Sequence, residues 1–430
     1  MNRMPYQFYE MAHLAVAPAR AMSDAARFFF KNPLNPLTHT VGGRTMAASA
    51  ELFERLTRRY GKPSFDLPQT KIDGVPVDIV EEIVWLKPFC RVIHFKRETN
   101  RQDPRLLIVA PLSGHYATLL RGTVEAFLPH FDVYITDWTD ARLAPLAAGP
   151  FNLDDYIDYL IEIIQLLGED APGAGLHTLG VCQPSVPLIA AAAIMEARKD
   201  PLSPASMTLM GGPIDTRRSP TAVNKLAQKR GSAWFKQNCI HTVPFPYPGV
   251  GRQVYPGFLQ LSGFMAMNLD RHVNAHLDMF NHLVDGDGDS AEKHRDFYDE
   301  YMAVMDLDAA YYLQTIDAVF VEHALPKGKM KHRDELIDLK AITRCGLMTV
   351  EGEKDDISGV GQTHAAHDLC VNIPESRKQH YLQMGVGHYG VFNGSRFRSE
   401  IAPRIGRFIE SIDAQSGKRK NTVVRLATSA

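Results

Sequence analysis

Cysteine is scarce in this chain of 430 residues. Its five cysteines (Cys90, Cys182, Cys239, Cys345 and Cys370) are odd in number, widely scattered and without a CxxC pair. That argues against a disulfide framework and favours a reducing compartment, with the cytoplasm as the expected address. Charge of one sign is also missing. The net charge is −2, so nothing in the total points to nucleic acid as a partner. No stretch approaches the roughly 18 continuous apolar residues that a membrane span needs, which excludes an integral membrane protein. The opening MNRMPYQFYEMAHLAVAPARAMSD has only a mild apolar patch from Leu14 to Ala17, interrupted by His13, Pro18 and Arg20. It makes a poor signal peptide. Repeats and extended low-complexity segments are absent as well.

What remains is an ordinary globular composition, 45% hydrophobic and 22% charged, in a chain long enough for a large core. Residues 1 to about 65 read as amphipathic helix, with ASAELFERLTRRYGKP (49–64) stopping at Gly61 and Pro63. From about residue 77 the pattern turns to strands, beginning with an entry hairpin in VDIVEEIVWLKPFCRVIHFKRE. RLLIVAP (105–111), FDVYITDW (131–138), LHTLGV (176–181) and SMTLMGG (206–212) alternate with helical stretches, of which LDDYIDYLIEIIQLLG (153–168) is the clearest. Such alternation predicts βαβ units and a mostly parallel sheet. It stops over residues 213–343, which read as helical and loop-rich. It resumes with CGLMTVEGEKDD (345–356), a helix near 361–370, KQHYLQM (378–384) and a closing helix near 396–412.

In such sheets ligands sit at the carboxyl ends of the strands. TLGVCQPSVP (178–187) is a strand, a sharp turn and a helix, the setting in which hydrolases carry Gly-x-Ser-x-Gly. Here Cys182 replaces the serine and Pro184 the second glycine. A helix N-terminus favours a thiolate, so Cys182 is a candidate nucleophile. Gln183 keeps its N–H for an oxyanion, and Pro184 falls in the first helical turn, where a missing N–H costs nothing. His388, framed by glycines in MGVGHYGVF after the last strand, is a candidate general base. Asp355, at another strand end, is the preferred acid to orient it, with Asp356 as immediate rival. Each alone has a bland reading: a core cysteine, a solvated loop histidine, a helix-capping acid. Together they stand in the order nucleophile, acid, base of the α/β-hydrolases, each at an expected strand end. A second oxyanion donor is expected from APLSGHYATLLRG (110–122), where the Ser113 N–H is the choice over Gly114 and His115.

Other patterns carry less. HVNAH (272–276) has Val273 where a zinc hydrolase needs glutamate. DGDGDS (285–290) lacks the sixth-position glycine of a calcium loop and has Asp296 where glutamate should close it. The G-x-G pairs at 249, 359 and 385 are not at dinucleotide-type turns. No metal and no cofactor is expected.

The stretches YQFYEMAHLAVAPARAMSD, GVCQPSVP, VEGEKDDISGVGQT and GVGHYGVFNGSRF resemble the intracellular poly(3-hydroxybutyrate) depolymerases, over about residues 4–412. The resemblance implies an α/β-hydrolase fold with a large helical cap, a Cys182–Asp355–His388 triad, and action on amorphous polyester granules. It divides the chain into an N-terminal helical segment (1–75) packing on the body or the granule, a hydrolase core (76–212 and 344–413), a cap (213–343) and a flexible basic tail (414–430). Cap residues Tyr247, Tyr255, Phe258 and Phe264 are candidates for touching polymer, against the alternative that they form the cap's own core. Water is the expected acyl acceptor, with coenzyme A as the alternative, and an oligomer is compatible with the sequence. The rival readings are a polyester synthase, which keeps glycine where Pro184 stands, a catalytically inactive granule scaffold, and a small-molecule thioesterase or esterase.

Overall fold

In the computed structural model, which describes residues 4–267 and 269–415, the apolar runs of the sequence assemble one nine-stranded sheet. Its strands are β1 (Gln69–Ile72), β2 (Val75–Lys87), β3 (Cys90–Arg97), β4 (Arg105–Val109), β5 (Asp132–Trp138), β6 (His177–Val181), β7 (Ser206–Met210), β8 (Gly346–Gly352) and β9 (Lys378–Gln383). They lie in the order β1-β2-β3-β5-β4-β6-β7-β8-β9. The entry strands pair antiparallel, and every pairing from β5 through to β9 is parallel. Every residue of β6, β7 and β8 is buried, as parallel strands covered on both faces must be.

Helices α1 (Met4–Lys31) and α2 (Val41–Thr57) precede the sheet, while α3 (Arg121–Phe127), α4 (Leu153–Gly168) and α5 (Ser185–Ala197) connect its parallel strands. The start of α4 follows from its sequence. Asn152 Oδ1 accepts the Asp155 N–H and Asp155 Oδ2 accepts the Asn152 N–H, a reciprocal cap that satisfies two otherwise orphaned donors. Tyr156, Ile157, Leu160, Ile164 and Leu167 then recur at helical spacing and face the core, where Tyr156 meets Trp138 edge-on at 4.2 Å. Almost every residue of α5 is apolar and buried, so this helix is central, directly behind the turn that holds Cys182.

Between β7 and β8 the chain leaves the sheet and builds α6 (Ala222–Asn238), α7 (Gly257–Met267), α8 (Leu269–Asp285), α9 (Gly288–Tyr301) and α10 (Ala309–Thr315). The cap is not purely helical. His241–Thr242, Gln253–Tyr255 and Leu307–Asp308 form a three-stranded sheet. Strands of two or three residues are too short to leave an alternation in sequence. The helix expected at 49–64 instead runs over Val41–Thr57, because Thr40 caps it through the Gly43 N–H and the chain turns extended at Arg58. The closing helix α11 spans Ala402–Gln415, and residues 416–430 of the expected tail lie outside the described residues. Among the described residues no helix is long and apolar enough to cross a membrane. Strand order, parallel core and the cap after β7 make this an α/β-hydrolase fold.

Candidate active site

Cys182 follows the last residue of β6, and its φ of 67° puts it in the left-handed region that residues with a Cβ rarely occupy. Two bonds hold it there: its N–H donates to Met210 O at 2.7 Å, and its carbonyl accepts from Ser185 N at 3.1 Å. The turn also needs small neighbours. A Cβ on Gly180 would stand 3.1 Å from Leu188 Cδ2, and one on Gly212 would stand 2.0 Å from Ser185 Oγ and 2.9 Å from the Cys182 carbonyl. Pro184 sits at the N-cap of α5, one step before the first helical turn expected for it, where its missing N–H is equally harmless.

His388 opens a short 3-10 turn after β9 and is 6% exposed. Its Nδ1 donates to Asp355 Oδ2 at 2.8 Å. The other Asp355 oxygen accepts the N–H groups of Ile357 (2.9 Å) and Ser358 (2.8 Å), so the carboxylate is fixed from both sides. Asp356 is exposed, and Asp355 is the carboxylate that meets His388. Cys182 stands close enough to the His388 ring to act on its charge. Burial opposes the charged imidazolium. The influence of Cys182 and of Asp355, with the Asp355 hydrogen bond, outweighs it and raises the His388 pKa well above its ordinary value. The three residues chosen from the sequence therefore meet in space.

The expected oxyanion donors are placed less tightly. Val109 of β4 stands opposite Gly180 of β6, so the loop carrying half-buried Ser113 leaves the sheet beside the Cys182 turn. That loop is held by Tyr311, whose hydroxyl donates to Leu112 O at 3.0 Å, and by the Met305 N–H on Gly114 O at 2.7 Å. Gly114 has a φ of 111°, and a Cβ there would run into Gln260 Oε1 at 2.4 Å. Among the described residues the side-chain Oε1 of Gln183 is buried without a hydrogen-bond partner, one position after Cys182.

Of the cap aromatics, Phe258 stacks on Tyr9 of α1 at 4.1 Å. Tyr255 packs on Tyr312 at 4.2 Å, and the Tyr247 hydroxyl takes a bond from Arg59 at 2.6 Å. Phe264 belongs to α7, but its side chain lies outside the described residues.

Three supports were not read from the sequence. Gly211 has a φ of 55°, and its absent Cβ would sit 3.2 Å from His388 Cε1. Its position at the end of an apolar strand was the available signal. Buried Glu351 accepts the N–H groups of Gly361 (2.9 Å), Thr363 (2.8 Å) and His364 (3.0 Å), closing the loop that bears Asp355. Thr363 Oγ1 in turn accepts the Gly212 N–H at 2.8 Å. Glu351 and Thr363 have no sequence signature, because their partners are backbone groups ten or more residues away.

Several solved structures are similar to this chain. One is a putative lipase from Acinetobacter baumannii AYE, with 12% identity over 78% of this chain and 93% of that one, and a TM-score of 0.42. Another is a thermophilic esterase from Thermogutta terrifontis, with 13% identity, 81% and 97% coverage, and a TM-score of 0.38. A 2-hydroxy-6-oxo-6-phenylhexa-2,4-dienoate hydrolase from Rhodococcus sp. strain RHA1 has 10% identity, 78% and 99% coverage, and a TM-score of 0.42. No curated protein matches the chain. Residues 211–413 match the family model described as PHB de-polymerase C-terminus, a span that holds the cap, Asp355 and His388. Over that span the chain is similar to the PHB depolymerase family.

Proposed function

We propose that this protein cleaves the backbone esters of amorphous poly(3-hydroxybutyrate) in storage granules of the cytoplasm, with Cys182 as nucleophile, His388 as acid–base and Asp355 as its orienting carboxylate. The observation that carries the reading is the left-handed Cys182 at a strand end, beside a buried histidine that Asp355 holds at 2.8 Å. The family match over 211–413 supports the substrate.

His388 takes the proton of the Cys182 thiol as the sulfur attacks the ester carbonyl carbon, forming a C–S bond while the carbonyl electron pair moves to oxygen. The backbone N–H groups of Gln183 and Ser113 receive that oxyanion. Collapse breaks the C–O bond, and the departing alkoxide takes a proton from His388, leaving a thioester. Water then gives a proton to His388 and attacks the thioester; the C–S bond breaks, the sulfur takes the proton back from His388, and the product acid leaves, ionising in solvent. The chain's own residues suffice for every proton, so the reading calls for neither metal nor cofactor. A thiol such as that of coenzyme A, attacking in place of water, would carry the acyl group away as a new thioester.

The test is release of 3-hydroxybutyrate from amorphous particles by wild type and Cys182→Ala side by side, with and without coenzyme A. Release by wild type alone is expected. A CoA ester in the second arm would identify the thiol as acceptor. Equal release by both proteins would mean another nucleophile, and release by neither would remove the depolymerase reading.

A further inference from the structure

α1 is built with its polarity reversed. Between Phe8 and Phe29 its exposed positions are twelve in number and hold only Ala, Pro, Leu, Met and Phe. Phe8 (61%), Met11 (62%), Leu14 (72%), Met22 (74%) and Phe29 (57%) recur at spacings that keep them on one side of the helix. The polar residues point the other way. Glu10 pairs with Arg59 and accepts from the Tyr247 hydroxyl, Arg20 donates to Thr57 O and His13 O, and Ser23 donates to Ala50 O. Asp24 and Arg27 pair with each other at 2.9 Å. The turn into α2 extends the bare surface with Leu34 (90%) and Val41 (63%). Single exposed apolar residues are ordinary on a protein surface, whereas a ridge about 32 Å long, from Phe8 to Phe29, without one charge is a contact surface.

We propose that this face of α1 seats the enzyme on the solid polyester itself, a deepening that rests on the depolymerase reading given above. Charge decides the occupant. A polyester is a surface of methyl groups and ester oxygens with no ionisable group along its length, and the face offered to it is uncharged throughout. A helix that lies on an anionic bilayer keeps lysines and arginines on its outer flanks to meet the headgroups. Here Arg20 is turned onto α2 and Arg27 onto Asp24. Seating through α1 leaves the hydrolase undisturbed, because the helix is fastened from its other side. Tyr6 is buried with its hydroxyl on Asp306 at 2.6 Å, and Tyr9 stacks on Phe258 of the cap.

The experiment compares wild type with Phe8→Ser, Met11→Gln, Leu14→Gln, Met22→Gln and Phe29→Ser combined, in the full chain. Co-sedimentation with amorphous poly(3-hydroxybutyrate) particles is read beside hydrolysis of a soluble 3-hydroxybutyrate dimer. Particle affinity should fall about tenfold or more, with soluble turnover kept. If the combined variant loses soluble turnover, the pair Leu14→Lys and Met22→Lys is read in its place under the same criterion. Equal particle binding by wild type and variant overturns the proposal. So does equally strong binding of wild type to phosphatidylglycerol–phosphatidylcholine vesicles, or a wild-type dimer that the substitutions make monomeric. Failure of wild type to hydrolyse dimer or particles removes the depolymerase reading, and the binding comparison stands apart from it.

Discussion

His388 is the residue on which the site's electrostatics converge. Buried and alone, an imidazole sheds its proton more easily than in water; here Cys182 and Asp355 reverse that sign. A raised folded pKa means that the native state binds the proton more tightly than the unfolded chain. The resulting stability is fully present below the unfolded value of about 6.5 and is lost as pH rises through the folded value. His388→Gln removes it, so the gap in Tm between wild type and this variant should be widest near about pH 6 and close towards alkaline pH. A gap that stays constant across that range would separate the histidine from Cys182 and Asp355. Asp355→Asn keeps the shape of the carboxylate but not its charge. In the proposed mechanism it lowers kcat by about 10³–10⁴-fold with little change in KM, measured on the soluble dimer.

Elements explain why these residues were legible. Cys182, Asp355 and His388 lie just beyond β6, β8 and β9, where an apolar run stops and a chemically active residue stands out against turn residues. The loop between Glu351 and His364 was not legible, since its order comes from one buried carboxylate gathering three backbone N–H groups. The small cap sheet escaped notice for a related reason: Gln253–Tyr255 gains its strand character from His241–Thr242 and Leu307–Asp308, and none of the three shows a periodicity alone. The loop leads to a test of the element. Glu351→Gln preserves volume and one acceptor while turning an amide N–H₂ towards backbone donors. A charged acceptor in such a bond contributes about 1.5–3 kcal/mol, and the substitution should cost about that much in denaturant unfolding. Because Asp355 rides on the same loop, kcat should fall as well. Loss of stability with kcat unchanged would mean that Asp355 is held by Ile357 and Ser358 alone.

At the scale of the molecule, the N-terminal helices, the cap and the core are joined through a buried polar knot rather than through apolar packing alone. Asp306, at the base of the cap, takes the Tyr6 hydroxyl on one oxygen and the Gly257 N–H on the other, while its own N–H donates to Asp140 Oδ1 at 3.2 Å. Arg142 pairs with Asp140 at 2.8 Å, and Asp140 also accepts from the Tyr116 hydroxyl. Two carboxylates and one guanidinium in so dry a place cannot all be satisfied as ions. Burial, and then the charge of Asp140, push the Asp306 carboxyl upward, although Arg142 and the bonds from Tyr6 and Gly257 pull the other way. The sign of the consequence is fixed by that direction. A carboxyl whose folded pKa is raised binds its proton more tightly in the native state. Its favourable contribution is complete below the unfolded value of about 3.9 and drains away as pH rises through the folded one. Asp306→Asn keeps an acceptor for Gly257 and a polar partner for Tyr6 without the titration. Thermal unfolding of the full chain should therefore give a wild-type Tm that declines relative to the variant as pH climbs out of the acid range. Tyr6→Phe in the wild-type background removes one of the bonds that lower the Asp306 pKa, which should steepen the decline. Parallel pH profiles for wild type and Asp306→Asn would mean that Asp306 stays ionised against Arg142, and that the knot holds the N-terminal helices by charge instead.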